Sequence, residues 1–259
     1  MSDIKHILVI RLSSMGDVAM SVPVLSAFSQ SNPKVKLTVL TKKQFAPLFR
    51  DVKTATVILA DFKELHIGFF GLYKLSKQIR KLNIDAVADL HNVLRTHVLK
   101  YFLFEIKFNQ INKGRSQKRA LTEGVNFSPL RSTPERYADV FRSLGFSFKL
   151  NRPSFREPKK LANSTLSVLE RFSSAVIGIA PFAAYASKTY PILKMDKVIY
   201  ELQKKHIILL FGGGAEESRQ LQKLASKYTN VFSVAGKFSL DHELDIISNL
   251  KVMLSMDSS

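Results

Sequence analysis

The segment I-L-V-I-R-L-S-S-M-G-D-V, residues 7–18, decides the fold. Its apolar part, Ile7–Leu12, predicts a buried β-strand, because it is a short run rich in β-branched residues. The next four residues, Ser13–Gly16, predict a turn, since glycine adopts backbone conformations that other residues avoid. Asp17 is then predicted to open a helix, whose apolar residues recur at helical spacing: Val18, Val22, Leu25 and Phe28. The N-terminus is therefore predicted to be a strand–turn–helix unit.

The same alternation continues along the first half of the chain. Four more short apolar runs predict strands: Val35–Leu40, Thr56–Leu59, Ile84–Leu90 and Ile106–Ile111. Between them lie stretches with helical spacing, of which the clearest contains Leu72, Leu75, Ile79 and Leu82. Strands rich in Val and Ile that alternate with helices indicate a parallel sheet with helices on both faces.

The segment Phe146–Pro158 interrupts this rhythm with two prolines and several basic residues, and we interpret it as a linker. A helix is predicted near Leu161–Phe172, and four strands follow: Val176–Ala180, His206–Phe211, Val231–Val234 and Val252–Ser255. The sequence thus predicts an α/β protein with two doubly wound, Rossmann-like domains, residues 1–150 and 160–259. Because the second domain stops just after its fourth strand, we expect a C-terminally truncated chain.

Composition excludes several classes of protein. The 259 residues contain no cysteine, which excludes disulfides, cysteine-bound zinc, iron–sulfur clusters and thiol nucleophiles. The longest apolar runs are too short for a membrane span, and Met1–Leu12 is too short for a signal peptide, so we expect a cytoplasmic protein.

Charge is unevenly distributed. Lys and Arg number 39 against 21 Asp and Glu, a net charge of +18, which favours anionic partners. Residues 1–159 carry 27 basic and 12 acidic residues, net +15, and residues 160–259 carry 12 and 9, net +3. We therefore expect the surface that faces a polyanion to lie on the first domain. The densest basic run is predicted to be a loop: Lys113, Arg115, Lys118 and Arg119.

Four strand ends carry polar residues that are candidates for function, and three of them have an ordinary alternative. Asp17 is either a helix N-cap or a functional carboxylate. Ser187 and Lys188, in F-A-A-Y-A-S-K-T-Y-P (182–191), suit a phosphate site or a solvated loop. Glu216, after the glycines at 212–214, could bind ribose hydroxyls or favour a helix N-terminus. Asp257 ends the last strand. Together, the last four residues suggest a nucleotide pocket in the second domain.

These motifs, taken in order, resemble those of the heptosyltransferases, glycosyltransferase family 9. The resemblance rests on I-L-V-I-R-L-S-S-M-G-D-V (7–18), A-D-L-H-N-V-L-R-T (88–96), the S-K-x-Y-P segment ending at Pro191, G-G-x-x-E at 212–216 and the terminal M-D-S-S. It implies a GT-B fold, in which two Rossmann-like domains face each other across a cleft. It also implies heptose transfer from ADP-heptose to a lipopolysaccharide core acceptor with inversion, without metal or cofactor, since the ADP-sugar is a substrate. Many members have Gly where Ser259 stands.

The resemblance also assigns roles to residues. Asp17 would be the general base, with Ser14 and Gly16 beside it at the acceptor. Lys188, helped by Ser187, would neutralise the diphosphate, and Glu216 and Asp257 would hold the nucleoside. Arg95 would bind an anionic group of the acceptor. The partners implied are a nucleotide-sugar and a lipid-linked anionic oligosaccharide, with peripheral attachment to the inner membrane and no nucleic acid.

Three alternatives remain open at this stage. The chain could be a GT-B transferase that uses another nucleotide-sugar. Its charge could mark a nucleic-acid-binding protein, although the sequence shows no RNP-type run and no basic heptad helix. It could also be a non-catalytic peripheral protein that uses Phe69, Phe70, Leu72 and Tyr73 beside Lys74, Lys77, Arg80 and Lys81, although we expect that helix to pack against its own sheet.

Overall fold

The structure is a computed structural model that describes residues 4–150, 158–159, 161 and 175–257. The chain divides into two compact units, Met1–Pro153 and Ser154–Ser259. The helix predicted at Leu161–Phe172 lies, apart from Leu161, outside the described residues, as does the part of the predicted linker from Asn151 to Glu157.

The first unit contains a sheet of five parallel strands in the order β3-β2-β1-β4-β5. The strands are β1 His6–Ile10, β2 Lys36–Lys42, β3 Ala55–Ala60, β4 Ala86–Asp89 and β5 Lys107–Gln110. All five strands predicted for this half are therefore confirmed. The strand order reverses between β1 and β4, which is where open α/β sheets place their ligands.

Five helices and a 3₁₀ segment connect or follow these strands within the described residues. They are α1 Met15–Ser31, α2 Gly68–Arg80, α3 Leu94–Phe102, α4 Arg115–Thr122, α5 Thr133–Ser143 and the 3₁₀ segment Lys43–Phe49. Ser132 begins α5 as an N-cap, and its hydroxyl accepts a hydrogen bond from the Glu135 amide.

Alternate residues of β1 pack on opposite faces of the sheet, as the two-residue period of a strand requires. On one face, Ile7 and Val9 lie in a core with α1 and α5. On the other, Leu8 and Ile10 lie in a core with α2 and α3. The helical pattern predicted around Leu72 is confirmed, because Leu72, Leu75 and Ile79 are buried there, although α2 ends before Leu82.

Two local predictions for the first half are wrong at their boundaries. Helix α1 begins at Met15 with Ser14 at the N-cap, so Asp17 lies inside the first turn and is not the N-cap. The basic run that was predicted to be a loop forms α4 from Arg115 onward. That helix buries none of its residues, so it lacks the apolar stripe by which a helix is recognised in a sequence.

The predicted linker is also wrong at its N-terminal end. Phe146 and Phe148 are buried in the core of the first unit. Their rings lie 5.1 and 5.4 Å from that of Phe28 on α1, in edge-to-face arrangements. The alternation F-S-F therefore completes a core and does not connect two domains.

The second unit repeats the architecture with four parallel strands in the order β8-β7-β6-β9. The strands are β6 Val176–Ala180, β7 Ile207–Leu210, β8 Val231–Ser233 and β9 Val252–Ser255. Its described helices are α6 Ile192–Leu202, α7 Gly214–Ala225 and α8 Leu240–Ser248. One face of the sheet packs on α6 and α7, and the other packs on Ile246 of α8. All four predicted strands are confirmed. None of the described helices is both long and apolar enough to cross a bilayer.

Candidate functional site

The reversal point of the first sheet brings together polar residues from two strand ends. Arg11, Ser14 and Asp17 follow β1, and Asp89 and His91 end β4. These strands are direct neighbours, with Ile10 paired to Asp89. We call these five residues the β1/β4 cluster.

Asp17 is a half-exposed carboxylate that is held on one of its two oxygens. Its Oδ2 forms an ion pair with Nη2 of Arg11 and accepts a hydrogen bond from the Ser14 hydroxyl at 3.1 Å. Its side chain is 37% exposed. Oδ1 accepts no hydrogen bond from any residue in the described part of the chain. One carboxylate oxygen is therefore fixed and the other is available to a ligand.

Arg11 is the buried partner that fixes Asp17. Its side chain is only 7% exposed, and Nη1 donates to the Leu90 carbonyl at 2.6 Å. The guanidinium also lies 5.6 Å from the centre of the Tyr137 ring, whose hydroxyl donates to the Asp17 carbonyl at 3.3 Å. Burial raises the pKa of Tyr137 to about 12, so it stays a neutral donor. Tyr137 of α5 therefore holds the first turn of α1 in place through this hydrogen bond.

The end of β4 is organised by the fully buried Asp89. Its Oδ1 accepts hydrogen bonds from the amides of His91 and Asn92, both at 2.9 Å, and its Oδ2 accepts one from Gln110 at 3.0 Å. These bonds shape the turn that presents His91. The His91 Nε2 lies 3.4 Å from the Ser13 hydroxyl, and its buried Nδ1 has no partner within the described ranges.

The electrostatic surroundings of the cluster are positive. Burial, and then the Arg11 guanidinium, lower the pKa of His91 to about 4, so its imidazole is neutral at physiological pH. Burial, followed by the charges of Arg115 and Arg11, also lowers the pKa of Lys113. Mutually repelling cations of this kind favour the binding of an anion, which would relieve the repulsion.

In the second unit, the reversal point between β6 and β9 joins two of the predicted donor residues. Lys188 lies in the 3₁₀ turn Ala186–Lys188 after β6, and Asp257 follows β9. Their side chains form an ion pair, and both are at least half exposed. Hydrogen bonding to Asp257 raises the pKa of Lys188, so the ammonium is charged. Ser187 lies in the same turn and is exposed.

The glycine-rich loop after β7 is held by Glu217 and not by the predicted residue Glu216. The Glu217 carboxylate accepts a hydrogen bond from the Gly213 amide at 2.8 Å, and Gly214 has a φ of +75°, which a glycine adopts readily. Glu216 pairs with Arg219 at 2.9 Å on the surface of α7. Its role toward a nucleoside stays a prediction.

The remaining predicted residues lie at the two strand ends of the first unit. Gly16 is exposed in the first turn of α1, and apart from its own helix no atom of the described residues lies within 4 Å of where its Cβ would be. Arg95 lies in the first turn of α3, and its guanidinium lies 4.8 Å from the centre of the Phe62 ring. No role was predicted for Arg11, Asp89, His91 or Tyr137. The first three stand at the two strand ends next to the reversal point, so the predicted strand order contained a signal for them.

Comparison with known proteins identifies the family of this chain. The family model of glycosyltransferase family 9 (heptosyltransferase) matches residues 72–259. A lipopolysaccharide core heptosyltransferase of Haemophilus influenzae, OpsX, is 24% identical to this chain, over 98% of the chain and 74% of its own length.

Solved structures show the same fold. A glycosyltransferase family 9 protein from Veillonella parvula superposes with a TM-score of 0.74 at 18% identity, covering 97% of this chain and 75% of that one. The E. coli heptosyltransferase WaaC with ADP-2-deoxy-2-fluoro heptose gives a TM-score of 0.71 at 19% identity, with coverage of 98% and 83%. The predicted GT-B class, with two Rossmann-like parallel sheets, is confirmed.

Proposed function

The chain belongs to glycosyltransferase family 9, the heptosyltransferases, and we propose on that basis that it transfers a heptose from ADP-heptose to a lipopolysaccharide core acceptor. The observation that carries the proposal is the Oδ1 of Asp17, which has no partner among the described residues and lies at the reversal point of the first sheet, in a positively charged setting. A carboxylate there suits proton removal, and the surrounding cations suit an acceptor that bears phosphate or carboxylate groups.

In the proposed reaction, an acceptor hydroxyl attacks the anomeric carbon of the heptose as the bond to the diphosphate breaks. The hydroxyl proton passes to Asp17 Oδ1, and ADP leaves with the electron pair of the broken bond. Attack opposite the leaving group inverts the anomeric configuration. Arg11 and Ser14 hold the other oxygen of Asp17, which orients the base without occupying the oxygen that receives the proton.

The second unit supplies the donor site in this proposal. Lys188 and Ser187 would bind the diphosphate, whose negative charge grows as the sugar departs. Asp257 holds the lysine in place through their ion pair and would bind the nucleoside together with Glu216. The acceptor would lie against Ser14, Gly16 and Arg95. No metal or other cofactor takes part in this scheme, in which the ADP-sugar is a substrate and the lipid-linked acceptor places the reaction at the cytoplasmic face of the inner membrane.

The test is transfer itself. The chain is incubated with ADP-heptose and a heptose-free core acceptor, and the product is analysed by mass spectrometry and by NMR at the anomeric position. We expect one added heptose with inverted configuration. Retention of configuration would overturn the direct displacement, and release of free heptose without transfer would overturn the acceptor assignment.

A donor panel separates this proposal from a transferase with another nucleotide-sugar. Ligand binding raises the apparent stability by RT ln(1 + [L]/Kd), so the preferred donor produces the largest rise in melting temperature at equal concentration. We expect ADP-heptose to exceed ADP-glucose and UDP-linked sugars. A larger rise with another sugar would identify that sugar as the donor.

A further inference from the structure

Helices α2 and α3 expose aromatic side chains on the side that faces away from the sheet. Helix α2 packs on the sheet through Leu72, Leu75 and Ile79, as expected. The expectation is wrong for its aromatic residues Phe69, Phe70 and Tyr73, which are exposed. Phe70 is 84% exposed, and the other exposed members are Phe69, Tyr73, Tyr101 and Phe104. We call these five residues the aromatic band. Burial of these five rings against a partner would be favourable, because it removes their apolar surface from water. An exposed patch of this kind therefore indicates an interaction site.

The aromatic band is ordered by ring contacts between the two helices. The half-buried Phe102 of α3 lies 4.8 Å from Phe69 and 5.3 Å from Tyr73, both on α2, and 5.8 Å from Tyr101. A groove of about 390 Å³ between the helices is lined by Tyr73, Lys77, Arg80, Tyr101, Phe102 and Phe104. The rings are thus held in place before any partner binds.

The charged residues of these two helices are all basic. They are Lys74, Lys77, Arg80, Arg95 and Lys100. Lys77 lies 4.6 Å from the centre of the Tyr73 ring, and Lys81 follows directly at the end of α2. One acidic residue lies close to them: Oε2 of Glu105 is 3.6 Å from Nη1 of Arg80. Exposed rings therefore alternate with positive charges on one surface.

We propose that the aromatic band and the basic residues of α2 and α3 form a docking surface for a bilayer that contains anionic lipids. Aromatic rings prefer the boundary between headgroups and acyl chains, and lysines beside them attract anionic headgroups. A second copy of this chain fits less well, because a two-fold interface would oppose the basic helices to themselves. The choice of a membrane rests on the proposed function, since a lipid-linked acceptor resides there.

Vesicle binding by the whole chain tests this surface without donor or acceptor. Affinity is measured by flotation with vesicles of phosphatidylcholine alone and with 30% phosphatidylglycerol. The variant Phe70→Ser is compared with Phe127→Ser, which removes an equally exposed ring outside the band. Lys77→Gln is compared with Lys118→Gln on α4, which removes an exposed lysine elsewhere on the same unit. Matching melting temperatures establish that all four variants fold.

We expect Phe70→Ser to weaken binding to the anionic vesicles about tenfold and Lys77→Gln about fivefold. Each control variant changes it less than twofold. The effect of Phe70→Ser persists at high salt, whereas the effect of Lys77→Gln shrinks, because salt screens charges but not ring burial. Equal affinities of Phe70→Ser and Phe127→Ser would overturn the proposal, since binding would then reflect only the net positive charge.

Two further outcomes would also overturn it. Light scattering that shows a dimer converted to a monomer by Phe70→Ser would assign the band to a second copy. Loss of nucleic-acid binding in Phe70→Ser, with vesicle binding unchanged, would assign it to a nucleic acid. If the chain binds vesicles through the aromatic band but transfers no heptose, the docking surface is supported and only the proposed function is overturned.

Discussion

Protonation of His91 is expected to lower the free energy of unfolding of the first unit, because burial disfavours the charged form of its imidazole. Burial and the Arg11 guanidinium lower the pKa of this imidazole to about 4, whereas an unfolded chain has a histidine pKa of about 6.5. The unfolded state therefore binds more protons than the folded state between those two values. Stability is complete above pH 6.5 and is lost as the pH falls toward 4. At about 1.4 kcal/mol per pKa unit, the loss by pH 4 is about 3 kcal/mol.

The assay compares two pH profiles of the free energy of unfolding, measured by urea denaturation between pH 7.5 and 4. The variant His91→Asn lacks the titrating ring. The contributions of the other titratable groups to the free energy of unfolding cancel when the profile of the variant is subtracted from that of the wild type. We expect the wild type to lose about 3 kcal/mol more than the variant over this range. His97→Asn, which removes an exposed imidazole, serves as the control and follows the wild type. Parallel profiles for the wild type and His91→Asn would refute the buried, neutral histidine.

The other predictions concern a core ring, a helix glycine and the donor lysine. Phe28→Ala should cost about 3–5 kcal/mol of unfolding free energy by denaturant titration, because three rings pack on it; a cost below 1 kcal/mol would contradict that core. Gly71→Ala should lower the free energy of unfolding by about 1–3 kcal/mol, because the new Cβ would lie 2.3 Å from the His66 carbonyl carbon. The control Gly16→Ala should not lower it, since its Cβ would meet no such neighbour. Equal effects of the two substitutions would contradict this close contact. Lys188→Met should weaken ADP binding at least tenfold by calorimetry, and the control Lys204→Met, which removes a similarly exposed, paired lysine, should not.

Most strands were predictable because they are short apolar runs, although β5, K-F-N-Q, contains only one apolar residue. In a parallel sheet covered on both faces, every residue of a strand such as β7 is buried, so the run itself marks the strand. Helix α4 escaped prediction for the opposite reason. It buries no side chain, and Ala120 and Leu121 are its only apolar residues, too few to mark a helix in the sequence.

Parts of the site were predictable from strand ends and parts were not. Lys188 and Asp257 meet because β6 and β9 are neighbours, which places the residues after them at one edge of the sheet. Arg11 was not assigned a role, because an arginine directly after a strand usually reaches solvent. Its burial follows from a three-dimensional arrangement, in which the Leu90 carbonyl and the Tyr137 ring enclose it.

Glu217 is the glutamate that holds the glycine loop. The sequence offers two adjacent glutamates, and only the fold distinguishes them. The second one accepts a hydrogen bond from the Gly213 amide, whereas the first lies on the outer surface of the helix.

The most direct test of the central claim is heptose transfer by Asp17→Asn. Asparagine keeps the size and one oxygen of the side chain but cannot accept the proton of the acceptor hydroxyl. The account predicts a loss of turnover of about 10²- to 10⁴-fold with ADP-heptose binding unchanged, which also establishes that the variant folds. Asp139→Asn, which alters another carboxylate paired with arginines, should retain full turnover. Normal transfer by Asp17→Asn would contradict the assignment of the base.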